Sequence, residues 1–193
     1  MNFDESTGSL RKAYQRVKGP NDQIDNILKV HSLRPHTLIG HMYLYKNVLH
    51  HTDNTLPKWY LETIGVYVSI LNNCSYCVEH HSVGLRKLVG DKKADVMIIE
   101  LQNLSIPVIL EDRFKAGLEY TQKLTLHAAH MNKIDIKFLR DNGLSDGEIL
   151  EINQVVSYFN YANRTVLGLG VDIGGEALGH SPSSSDSSEW AHV

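Results

Sequence analysis

Residues 57–90 read PKWYLETIGVYVSILNNCSYCVEHHSVGLRKLVG, and this stretch decides the fold. Pro57 suits the first turn of a helix, where its missing N–H costs nothing. An apolar-rich run continues to Leu71 without the alternation of a strand. Asn72–Asn73 breaks it, and a second helical run ends at Gly90, a residue type that commonly closes helices. Two helices around an Asn–Asn turn make an antiparallel hairpin, with Cys74 and Cys77 at the start of its second arm.

Helical spacing recurs on both sides. Ile24, Ile27, Leu28 and His31 predict a helix over about 21–32, and Pro35 opens another to about 50 through Leu38, Met42, Tyr45 and Leu49. Shorter helices are expected over about 93–101, 112–127 and 135–141, the last closing at Gly143. Ser145–Asp146–Gly147–Glu148 is a capping box, so a long helix starts there and runs to about 167. Strand signals are weak throughout, and the expected fold is all-α.

One domain is expected over 1–174, followed by a loosely held tail over 175–193 with six serines between Ser181 and Ser188. The spacing of Glu62, Cys74 and Cys77 recurs in Glu148, Asn160 and Asn163. A degenerate repeat over 112–170 would explain this echo; chance, with Glu148 only a cap, is the plainer reading.

The chain has 193 residues, 42% apolar and 21% charged, the balance of an ordinary globular protein with a core of its own. Net charge is −3 and the pI about 6.4, with Lys and Arg scattered, so neither nucleic acid nor a membrane surface is an expected partner. Residues 1–19 are polar and mixed in charge, unlike a secretory signal, and the longest apolar stretch, Gly65 to Leu71, is too short to span a bilayer. The cytoplasm is the expected compartment. In that reducing setting two cysteines three positions apart point to redox chemistry or metal binding rather than to a structural disulfide.

At about 100° per residue, Cys74, Cys77 and His81 fall within roughly a 60° arc of one helix face. His81 follows Cys77 by four positions, the separation at which helical side chains meet. Glu62 lies ten residues before the turn and His81 eight after it, so antiparallel packing brings them to nearly the same level. Gly65 and Ser69, on the face of Glu62, permit close helix approach. The expected relay runs from Glu62 to His81 to Cys77 and Cys74. In it, a carboxylate orients an imidazole that takes a thiol proton, and the thiolate is the reactive form. Cys74, near a helix N-terminus, gains further thiolate stabilisation from the amide dipoles, which by itself favours Cys74 as the more acidic sulfur. Attack on a peroxide gives a sulfenic acid, and a second thiol one turn away condenses with it to a disulfide.

Zinc is the competing reading of Cys74, Cys77 and His81, but a structural site needs a fourth ligand and usually a second close pair, which the chain lacks. No metal and no cofactor are expected. His50, His51, His80, His127 and His130 are read as surface or satisfied core histidines.

Together these residues resemble the alkylhydroperoxidase D-like branch of the carboxymuconolactone decarboxylase superfamily. Its signature, Glu-x11-Cys-x2-Cys-x3-His, is matched by Glu62, Cys74, Cys77 and His81. The stretches Asn73 to His81 and Tyr158 to Arg164, the latter followed by Gly168–Leu169–Gly170–Val171, resemble the peroxidase-related proteins of that branch. The resemblance implies a multi-helical fold, a dimer or larger ring, and thiol-dependent peroxide reduction with Cys77 peroxidatic and Cys74 resolving. Well-studied members carry a histidine directly before the second cysteine; here Tyr76 stands there as a supporting group, a poorer proton carrier that can still donate a hydrogen bond to a thiolate. The expected partners are a hydroperoxide substrate and a dithiol or thioredoxin-like reductant. A homo-oligomer is also expected from the apolar stripe of Tyr60, Ile64, Tyr67 and Leu71. A non-catalytic redox partner or sensor is the alternative function, and a lactone decarboxylase or a zinc protein stands behind it.

Overall fold

The computed structural model describes residues 1–179, which form nine α-helices and, among the described residues, no strand. They are α1 (Gly8–Val17), α2 (Asn26–Lys29), α3 (Pro35–Tyr45), α4 (Lys58–Leu71), α5 (Ser75–Val89), α6 (Asp91–Gln102), α7 (Asp112–Leu126), α8 (Lys133–Asp141) and α9 (Asp146–Leu169). The hairpin of α4 and α5 is the centre of the molecule. Every residue from Tyr60 to Ser69 is buried, with α5, α6, α7 and α9 packed around α4. A helix apolar on all sides has to be an interior helix, and this one is.

That burial corrects the stripe expected to hold a second subunit. Tyr60, Ile64 and Tyr67 are fully buried inside one chain, and Leu71 packs at the edge of the same core. Periodicity finds the apolar face but does not say whether the covering surface belongs to the same chain.

The hairpin turn follows from its two asparagines. Asn72 caps α4, and Asn73 takes φ 56°, a left-handed conformation that asparagine tolerates. Cys74 is then the N-cap of α5, its amide donating to Ser69 O at 2.9 Å. A buried amide network ties this turn to α9. Asn72 Nδ2 donates to Asn160 Oδ1 and Asn163 Oδ1, Asn163 Nδ2 to Ser69 Oγ, and Ser69 Oγ to Gly65 O. Glu148, Asn160 and Asn163 all lie on the single helix α9, whereas Glu62 and the cysteines lie on two helices.

The capping box opens α9 as read from the sequence, and a second one, Asn132 with Asp135, opens α8. The N-terminal third departs from expectation. Between 21 and 32 only Asn26–Lys29 is α-helical, because Asn21 and Asp22 turn the chain at φ 56° and 59°. Ile24 and Leu28 are nonetheless buried, so their spacing records core contact rather than a long helix. In α1, unforeseen, Leu10, Ala13, Tyr14 and Val17 supply the buried face at helical spacing. Of the expected tail, residues 175–179 run beside α5, with Lys87 Nζ donating to Gly179 O at 2.9 Å; the serine run lies outside the described residues. Among the described residues no helix is long and apolar enough to cross a membrane.

Candidate functional site

Cys74 and Cys77 are joined as a disulfide, with Cα atoms 5.4 Å apart. The two sulfurs occupy different surroundings. Cys74, with no exposed surface, is sealed among Val166, Ile27, Val171 and Ile173. Cys77, at the third position of α5, lines a cavity of about 70 Å³. Both therefore sit in the first turn, where the helix dipole favours a thiolate.

Glu62 reaches the same cavity from α4, with its Oε2 2.8 Å from His81 Nδ1. The carboxylate is buried and lies beside Gly84 of α5, where a Cβ would make ordinary van der Waals contact at 3.6 Å from the carboxylate carbon. The edge-to-face ring of Phe159, centroid 4.6 Å away, holds the other side of the imidazole. Phe159 can stand there because Gly65 lets α9 come close. The missing side chain at Gly65 of α4 thus admits α9. Among the described residues, His81 bonds Glu62 and neither sulfur.

Tyr76 packs in the same buried cluster as the two cysteines and lines the cavity beside Cys77. Its hydroxyl accepts the Ile27 amide at 3.2 Å and is hydrogen-bonded to Glu176. Burial, with Glu176 beside it, holds this phenol far above its ordinary pKa, so it stays protonated across any working pH. Tyr45 and Tyr158 also line the cavity, and burial raises the pKa of both phenols, with Glu62 adding to it at Tyr45 and Tyr161 and then Glu62 at Tyr158.

Two residues of this site have no expected role from the sequence. His80 also lines the cavity, and its Nε2 lies 2.6 Å from Glu176 Oε1. Glu176 arrives from the C-terminal segment; its side chain is 3% exposed, and the Asn26 amide donates to its Oε2 at 2.5 Å. His80 is one turn from Cys77 and was open to a spacing argument. Nothing local to Glu176 marks it. The remaining histidines read as background divide: His127 and His130 are exposed, while His50 is buried against Tyr45.

No protein-family model matches the chain, and no curated protein sequence does. Solved structures do. An uncharacterized peroxidase-related protein from Silicibacter sp. TM1040 is 25% identical over 80% of this chain and 79% of its own, with a TM-score of 0.70. An uncharacterized peroxidase-related protein with an alkylhydroperoxidase AhpD core, from Ralstonia eutropha JMP134, is 22% identical over 80% of both chains, with a TM-score of 0.69. The debrominase Bmp8, in a complex with 2,3,4-tribromopyrrole, is 15% identical over 86% of this chain and 84% of its own, with a TM-score of 0.66. The chain shares the all-helical alkylhydroperoxidase D-like fold of these proteins, with Glu62, Cys74, Cys77 and His81 in its central hairpin.

Proposed function

We propose that the chain is a thiol-dependent peroxidase that reduces hydroperoxides at Cys77, resolves through Cys74, and is recharged by a dithiol or thioredoxin-like protein. The observation that carries this reading is the asymmetry of the pair. Cys77 faces a cavity that it shares with the Glu62–His81 dyad, and Cys74 is buried against it within disulfide reach.

In the reduced protein His81 takes the Cys77 proton while Glu62 fixes its tautomer and stabilises the imidazolium. The thiolate attacks the terminal peroxide oxygen, the O–O bond breaks, and Cys77 becomes a sulfenic acid. Cys74 then attacks that sulfur, releasing water and forming the disulfide. A dithiol returns two electrons and two protons.

A homo-oligomer in the cytoplasm belongs to the same reading, supported by apolar Tyr161, Leu167 and Leu169 exposed along α9; a monomer at micromolar concentration in sedimentation would remove that part.

The test is steady-state consumption of hydrogen peroxide and tert-butyl hydroperoxide with dihydrolipoyl or thioredoxin-type reductants. Repeated turnover, abolished in Cys77→Ser, is the expected result. A single oxidation followed by arrest would instead identify a redox sensor.

A further inference from the structure

Cys77 has a carboxylate–imidazole dyad on each side. Position 81 follows it by four and position 80 by three, both neighbouring separations on a helix. His81 is backed by Glu62 at 2.8 Å, His80 by Glu176 at 2.6 Å, and both imidazoles open on the cavity that holds Cys77. Only the first dyad belongs to the sequence signature.

The second is equally built. Glu176 is almost wholly buried and meets the Asn26 amide, the Tyr76 hydroxyl and His80. The Tyr76 ring lies tilted against that of His80, centroids 4.5 Å apart. The segment carrying Glu176 is pinned on both sides. Asn26 Nδ2 donates to Asp172 O and Ile173 O, and Gly179, at φ 71°, lies so close to Val83 that a Cβ would come within 2.3 Å of its Cγ1. Contacts at Asp172, Ile173, Glu176 and Gly179 hold this segment against the site.

We infer that His80 is a second catalytic residue, the general acid that protonates the leaving oxygen of the hydroperoxide, and that Glu176 is its positioning residue. This assignment rests on the peroxidase reading. The proton balance is complete. His81 takes the Cys77 proton, and the thiolate gives two electrons to the O–O bond and forms the S–O bond. The departing alkoxide takes the proton of the His80 imidazolium, which leaves Cys77–SOH and ROH. His81 then returns a proton to His80 through cavity water, for which about 70 Å³ leaves room. Glu176 holds Nε2–H throughout, so the delivered proton comes from the second ring nitrogen. Division of labour between a base and an acid also accounts for Tyr76: turned to Glu176 and locked protonated, it carries no proton itself but fixes the carboxylate that does the orienting.

The test uses leaving groups. Pre-reduced wild type, Glu176→Gln, Glu176→Asp and His80→Gln are oxidised in single-turnover experiments by tert-butyl hydroperoxide and by peracetic acid, with free thiols counted against time. An alkoxide needs a proton to leave, and acetate does not. Glu176→Gln and His80→Gln should therefore slow the hydroperoxide reaction about tenfold or more and the peracid reaction by less than about twofold, with Glu176→Asp recovering part of the loss. The alkylation midpoint of Cys77 should move less in all three variants than in His81→Ala, because the base is His81 and His80 acts on the thiolate only through its charge. Equal slowing with both oxidants, or none with either, overturns the dyad while leaving the peroxidase intact. Wild type that reacts with the peracid and not with the hydroperoxide overturns the peroxidase reading and the dyad together.

Discussion

The ring of Phe159 lies directly on Gly65: a Cβ built at position 65 would stand 2.2 Å from Phe159 Cζ and 2.4 Å from Cε2. The same ring meets His81 edge to face, so the closeness of α4 and α9 is transmitted to the imidazole. Gly65→Ala should destabilise the protein by about 1–3 kcal/mol through overpacking. It should also slow Cys77 chemistry more than the stability loss explains, since Phe159 can yield only by moving off His81. Denaturant midpoints and thiol alkylation rates of the same preparation check both parts; a folded Gly65→Ala protein with wild-type alkylation would separate Phe159 from the site.

The different burial of the two sulfurs predicts an order of reaction. After reduction, Cys77 should be alkylated first, from the cavity, and Cys74 only on local opening of the packing around Val166 and Ile173. Peptide mass mapping at short times should find the label on Cys77. In Cys74→Ser, one equivalent of peroxide should leave a trappable sulfenic acid on Cys77, because the thiol that would condense with it is gone. Label appearing first on Cys74 would reverse the proposed roles.

The hairpin is legible because its boundaries are local: Pro57, Asn72–Asn73 and Gly90 each limit the backbone by themselves. The Glu62–His81 pair is legible for the same reason, as two helices of known rise joined by a known turn. Glu176 is not, because its partner Asn26 lies 150 residues away in the chain and no spacing rule spans that distance. His80 falls between the two cases. Counted from Cys77, it lies about 60° to one side of the helix and His81 about 40° to the other, so an arc drawn through Cys74 selects only one of two flanking imidazoles. The long helix expected over 21–32 fails because apolar spacing reports burial, which Ile24 and Leu28 achieve across a turned backbone.

His31 gives the stability a pH dependence of known sign. It is buried beside His41, its Nδ1 is 2.7 Å from Thr37 Oγ1, and burial lowers its pKa below the ordinary imidazole value. The unfolded chain takes up a proton at about pH 6.5 that the folded chain resists. The contribution is therefore full above that pH and is lost as the pH falls below it toward the folded value. His31→Gln should flatten the pH dependence of the unfolding free energy below about pH 6.5. Urea denaturation of both proteins from pH 5 to 8 measures it, and parallel curves would assign the slope to another group.

The Glu62–His81 contact predicts coupling rather than two independent effects. If the imidazole is the base for Cys77, His81→Ala should raise the thiol titration midpoint and slow alkylation near neutral pH by about tenfold or more. Glu62→Gln should act in the same direction but less strongly. An amide oxygen still accepts the Nδ1–H at 2.8 Å and orients the ring, but it no longer stabilises the imidazolium. In the His81→Ala background the carboxylate has no ring to act on, so adding Glu62→Gln should change little, and the four proteins should show an interaction energy about as large as the Glu62→Gln effect itself. Simple additivity would mean that Glu62 reaches the sulfur by another path, through cavity water. The decisive comparison is the pH dependence of alkylation at each cysteine: a midpoint for Cys77 that does not move in His81→Ala removes the base from the mechanism and leaves the imidazole as packing for Phe159.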